Sequence, residues 1–139
     1  MIELKDLNPW ERYQAIRGCE TFFLTYRSPN WQKRIVEKLK EEFGEKYEIP
    51  IKVILTAAAK ARRYNDKGCM FPLNANEYSS TSAIMQNTGK KISYRNTRKL
   101  LDLMESAGYI TILKGYFCSK DNSMPSYLVF QDKLLKLLD

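Results

Sequence analysis

Ser93-Tyr94-Arg95-Asn96-Thr97-Arg98-Lys99-Leu100-Leu101-Asp102-Leu103-Met104-Glu105-Ser106-Ala107-Gly108 runs directly into Tyr109-Ile110-Thr111-Ile112-Leu113. Ser93 is a favourable N-cap, and Gly108 suits the residue just past a helix C-terminus. Between them Thr97, Leu100, Leu101, Met104 and Ala107 recur at helical spacing and form one apolar stripe. The spacing therefore predicts a helix whose opposite, outward face carries Tyr94, Arg95, Arg98, Lys99 and Asp102. Three cations and a tyrosine in the first half of one helix suit a phosphate-lined groove. A helix fits the major groove, where guanidinium groups bond guanine edges or phosphates.

Tyr109–Leu113 is rich in β-branched and aromatic residues, and Ser126-Tyr127-Leu128-Val129-Phe130 is its expected antiparallel partner. The connection, 114–125, runs from Lys114-Gly115 to a turn-forming Lys120-Asp121-Asn122-Ser123. A helix, a glycine and a hairpin with a polar, basic tip follow the order of a winged helix-turn-helix.

The resemblance extends to single residues. Ser93 through Ile110 resembles the recognition helix and following strand of bacterial winged helix-turn-helix regulators, with the pattern S-x-x-T-V-R-x-x-L-x-x-L-E-x-x-G-x-I. Ser93 matches the serine, Thr97 the valine, Arg98 the arginine, and Leu101 and Met104 the two leucines. Glu105, Gly108 and Ile110 match the remainder. Upstream, Ala83-Ile84-Met85-Gln86-Asn87-Thr88-Gly89 resembles the first helix of the motif, usually E-L-A-x-x-L-G. Asn96 stands where threonine is usual, and Lys90-Lys91-Ile92 lengthens the turn by about two residues. The likeness covers 79–130. It implies three helices with a β-hairpin wing, and sequence-specific duplex DNA binding by a dimer.

Net charge is +7, and the excess is concentrated. In 50–68, Lys52, Lys60, Arg62, Arg63 and Lys67 face only Asp66. In 87–120, Lys90, Lys91, Arg95, Arg98, Lys99, Lys114 and Lys120 face Asp102 and Glu105. Clustering of this kind is the footprint of a phosphate-binding surface. For the first group, cations that complement a helix C-terminus are an equal account.

With the resemblance, the turn, the outward helix face and the wing imply a DNA-binding set of Lys90, Lys91, Ser93, Tyr94, Arg95, Asn96, Arg98, Lys99, Lys114 and Lys120. Arg95 and Arg98 are the candidates for base or phosphate contact. Tyr94 can touch a phosphate or a thymine methyl, or pack over the turn. Asn96 can bond adenine or assist the cap. Lys90, Lys91, Lys114 and Lys120 are phosphate-type contacts that position without reading sequence.

Outward from this segment, Asn8-Pro9-Trp10-Glu11 has the pattern of a capping box, opening a helix that ends near Gly18. Thr21–Tyr26 is aromatic, a strand or an apolar tether. Ser28-Pro29 opens a second helix with Trp31, Ile35, Leu39 and Phe43 on one stripe and Gly44 at its end. Its mixed charges, Lys33, Glu37, Lys38, Glu41 and Glu42, look like a solvated face. Pro50 starts a third helix, stopped by Asn65–Gly68. Cys69–Pro72 is extended, and a short helix from Ser79 or Ser80 to Thr88 follows.

The run 131–139, with Leu134, Leu135, Leu137 and Leu138, is an amphipathic helix of about two turns that must pack on something to persist. Leu103 is apolar at a position the pattern makes polar, and is expected to be covered from outside the motif. With the aromatic residues Trp10, Tyr13, Phe22, Phe23 and Tyr26, these supply surface for homodimerisation, or simply for a larger monomer core.

The chain's 139 residues suit one domain: 1–48 a helical N-terminal extension, 50–130 the winged-helix core, 131–139 a C-terminal helix. With no histidine, the Ser-His-Asp triad, Cys-His dyads and histidine zinc sites are excluded. Cys19, Cys69 and Cys118 lie about fifty residues apart with no C-x-x-C, so they fit packed, reduced thiols rather than a disulfide framework. No metal or cofactor is expected. No apolar run reaches the ~18 residues of a membrane span, and the N-terminus lacks signal-peptide order. A soluble cytoplasmic location follows, nucleoid-associated when DNA is bound.

The fold class expected is mostly α with a small antiparallel hairpin. The function expected is a non-enzymatic, double-stranded DNA-binding regulator, foremost a transcriptional repressor. One alternative is a phage or plasmid replication-initiation or DNA-maintenance accessory. Another is a winged-helix protein-interaction adaptor that binds no DNA.

Overall fold

The structure, a computed structural model, describes residues 1–20, 33–71, 93–119 and 122–139. Its first strand, β1 (Ile2–Glu3), passes through a single 3-10 turn into α1 (Pro9–Ile16) and then β2 (Cys19–Glu20). Helices α2 (Lys33–Phe43) and α3 (Glu48–Arg63) precede β3 (Gly68–Met70). Then come α4 (Tyr94–Ser106), β4 (Ile110–Lys114), β5 (Tyr116–Ser119), β6 (Asn122–Met124), β7 (Tyr127–Phe130) and α5 (Asp132–Leu135). The described residues are mostly helical around a small sheet.

That sheet has the order β1-β4-β7-β3-β2 among the described residues. Its centre is antiparallel: Ile110 pairs with Phe130 and Ile112 with Leu128, the pairing expected for 109–113 and 126–130. The two outer strands are parallel to their neighbours, Ile2 beside Leu113 and Cys19 beside Gly68. One N-terminal segment thus supplies both edge strands, each only two residues long, and very short edge strands limit the row of open hydrogen-bonding groups an edge presents. The expected helical extension over 1–48 thus also contributes two strands, which at two residues each carry too little periodicity to be read from sequence.

Alternation along the strands separates two apolar clusters. Ile110, Ile112, Leu128, Phe130 and Cys69 face the helices, where Ile51, Ile54, Leu100, Leu101 and Met104 are fully sealed from solvent. On the reverse face Leu113, Tyr127 and Leu4 form a second cluster, closed by Ile16 of α1, Met70 and Val129. A sheet covered on both faces holds its central hairpin rigidly, which fixes where α4 and the paired strands β5 and β6 sit.

The helix boundaries have local causes. Asn8 accepts from the Glu11 backbone N–H at 2.9 Å while Glu11 accepts from that of Asn8 at 3.0 Å, the reciprocal cap expected from the sequence. Pro50 does not begin α3. The helix starts at Glu48, since a proline in the first turn removes only an N–H that has no intrahelical acceptor. Gly108 has φ +83°, with its N–H on the Glu105 carbonyl and that of Tyr109 on the Met104 carbonyl, a Schellman closure of α4.

Two further expectations change. The run 131–139 divides into α5 and a 3-10 turn (Lys136–Leu138), and Leu134 is buried in the chain's own main core. Leu103 is 42% exposed, so the chain's own packing leaves it partly open. The expected short helix near 79–88, the Thr21–Tyr26 segment, Trp31 and the Ser28-Pro29 start lie outside the described residues. Among the described residues no helix is long and apolar enough to cross a membrane.

Candidate nucleic-acid interface

The start of α4 is set by Ser93, whose Oγ accepts from the Asn96 backbone N–H at 3.2 Å. Thr97 Oγ1 donates to the Ser93 carbonyl at 2.8 Å and is itself buried, which locks the first turn against the core. The burial of Thr97, Leu100, Leu101 and Met104 then decides the rotation of every other side chain on the helix.

That rotation divides the expected outward face. Arg95, Lys99, Asp102 and Ser106 are exposed along one stripe, directly opposite the buried one. Tyr94 is half-buried and packs against the main core, so packing accounts for it. Arg98 is half-buried, and its Nη1 is sealed from solvent without a hydrogen-bond partner. The expectation of a fully outward Arg98 is corrected: positions 94, 98 and 105 follow one flank of the helix rather than its crest. Glu105 on that flank accepts from the Ile112 N–H at 2.6 Å and pairs with the Met1 amino group at 2.9 Å. Asn96, half-buried, serves the cap through its backbone N–H.

Lys114, the last residue of β4, is exposed and lies 3.7 Å from Glu3 of β1. Its charge is partly balanced by a strand the sequence reading had not placed. Lys90, Lys91 and Lys120 lie outside the described residues. Arg62, a candidate to extend the basic patch, forms an ion pair with Asp139 instead.

Beyond Lys114 the chain leaves the main sheet. The connection expected between the two strands is itself paired, β5 with β6, as a separate two-stranded ribbon. Tyr116 lies opposite Met124 and Phe117 opposite Ser123, with an irregularity at Cys118. Gly115 makes the departure sterically feasible: a Cβ there would lie 2.0 Å from the Met124 carbonyl oxygen. Its N–H donates to Ser126 Oγ at 2.9 Å.

Sequence reasoning missed what anchors this ribbon. Arg12 of α1 donates through Nε to the Leu4 carbonyl at 2.9 Å and through Nη1 to the Tyr116 hydroxyl at 3.0 Å. A lone arginine in an amphipathic helix carries no sequence signal for a partner 104 residues away.

Among the described residues no three histidine, cysteine, aspartate or glutamate side chains gather to hold a metal. Burial pushes the Cys19 thiol up to about 11 against the opposing charge of Lys67, so it is not a thiolate near neutrality. No family model matches the chain, and comparison with curated proteins and with solved structures finds no match.

Proposed function

We propose that this chain is a double-stranded DNA-binding protein of the winged helix-turn-helix kind. In this reading α4 lies in the major groove and the β5–β6 ribbon meets the neighbouring backbone or minor groove. The observation that carries it is the exposed Arg95–Lys99 stripe on a helix whose opposite side is wholly buried, followed through β4 by a ribbon that pairs separately from the main sheet. The resemblance of 93–110 to the recognition segment of that superfamily and the +7 charge support it.

The roles divide by position. Arg95 is the residue for a base edge, being exposed in the first turn. Lys99 and Lys114 supply phosphate contacts that set orientation. Occupying a stretch of duplex excludes other proteins from it, so transcriptional repression is the leading role. A replication or DNA-maintenance accessory rests on the same contacts.

The homodimer expected from the sequence loses one support, because the C-terminal leucines are used on the chain's own core. A mass by light scattering that stays monomeric at all concentrations removes it.

A second reading, a protein-docking adaptor, is favoured by the exposed Leu103 on α4. Salt separates the two. Six or more phosphate contacts predict a fall of about 10³-fold or more in duplex affinity between about 50 and about 200 mM salt, and two contacts only about ten-fold. An Arg95→Ala/Arg98→Ala variant with undiminished affinity rejects the site assignment.

A further inference from the structure

Phe117 is 79% exposed, more than any other large apolar side chain among the described residues, and it belongs to neither apolar cluster. Its neighbours in the ribbon are turned the other way. The Tyr116 hydroxyl is held by Arg12, and both Tyr116 and its cross-strand partner Met124 pack into the cluster beneath α1. Successive strand side chains point to opposite faces, so Phe117 and Ser123 point away from α1. Away from α1 is the side of the main sheet on which Ile110, Ile112 and Leu128 meet α4 and its neighbours. The aromatic ring therefore lies on the ribbon face turned away from α1, and α4 packs on the sheet face turned away from α1.

We propose that Phe117 is a wedge that enters a base step of duplex DNA from the minor groove while α4 occupies the adjacent major groove. This rests on the DNA-binding reading above and adds to it a specific act, the partial unstacking and bending of the duplex. An apolar side chain inserted between base steps kinks DNA toward the major groove. Stacking on a base gives the ring the apolar contact the chain itself withholds. The ribbon suits the task because its base is fixed from one side by Arg12, leaving the opposite face clear.

The probe is a set of duplexes recovered by random-oligonucleotide selection with the full chain, carrying 2-aminopurine at successive positions and a donor–acceptor dye pair at their ends. With the wild type, emission rises at one step and energy transfer between the ends increases. Phe117→Ala loses both changes and weakens binding about ten-fold, while keeping the wild-type salt dependence. Phe117→Trp restores both. Because the side chain is exposed, all three proteins melt at the same temperature. Phe117→Ala with undiminished emission and bending overturns the wedge but leaves the DNA-binding reading standing. A wild type that binds no duplex overturns both.

Discussion

The guanidinium of Arg12 lies 5.3 Å from the centroid of the Tyr116 ring and donates to that ring's hydroxyl at 3.0 Å. One residue thus ties α1 to the base of the ribbon by a hydrogen bond and a cation–π contact. Arg12→Ala should cost about 1–2 kcal/mol of stability, with backbone amides of 116–124 exchanging faster than those of β4 and β7. Uniform acceleration across the sheet would show instead that Arg12 serves the whole domain.

Gly115 sets the exit of the ribbon. Any side chain there meets the Met124 and Pro125 carbonyls, at 2.0 and 2.5 Å from an ideal Cβ. Gly115→Ala is expected to destabilise by about 1–3 kcal/mol, the range for overpacking a close contact, and to alter the ribbon's amide shifts more than those of α3. An unchanged melting temperature would refute the close approach.

Glu3 holds Lys114 at 3.7 Å, and both are substantially solvent-exposed. Such a pair contributes little to folding, ~0–1 kcal/mol. It also offsets a cation beside the candidate interface. Glu3→Gln should leave the melting temperature almost unchanged and tighten duplex binding a few-fold at low salt. Weaker binding would place Lys114 away from the phosphates.

Tyr109 joins the sheet to α2 by donating to Glu42 Oε2 at 2.6 Å. Burial, then that carboxylate, pushes its phenol up to about 12 from its ordinary value of 10.0. The folded protein therefore retains a proton that the unfolded chain gives up. The contribution is full below about pH 10 and is lost as pH rises through about 12. Tyr109→Phe should cost about 1–2 kcal/mol at neutral pH, and its melting curve should converge on that of the wild type above pH 10. Curves that stay parallel would deny the coupling.

Glu42 also shows where sequence reading stops. Beside Lys38 it looked like part of a solvated face, since spacing within one helix says nothing of a tyrosine 67 residues away. What was legible was local. The Asn8–Glu11 box, the Ser93 cap, the Gly108 closure and the buried stripe of α4 each follow from residues within a turn or two. The pairing of 109–113 with 126–130 was legible because both runs are β-rich and their connection carries turn chemistry. The parallel strands at the sheet edges were not, being two residues long and paired with strands about 110 and about 50 residues distant. At the candidate interface, the stripe puts Arg95 and Lys99 in the open, where the structure has them. Tyr94 and Arg98 sit one step around the helix, where a small rotation decides between crest and flank.

The central claim is that Arg95 and Lys99 face duplex phosphates or bases from the exposed side of α4. The most direct measurement is duplex affinity across a salt series for the wild type and an Arg95→Ala/Lys99→Ala variant, both checked for equal melting temperature. Exposed side chains predict no loss of fold, weaker binding, and a logarithmic salt slope shallower by about one for each cation removed that contacts a phosphate. Identical affinities and identical slopes would contradict the account.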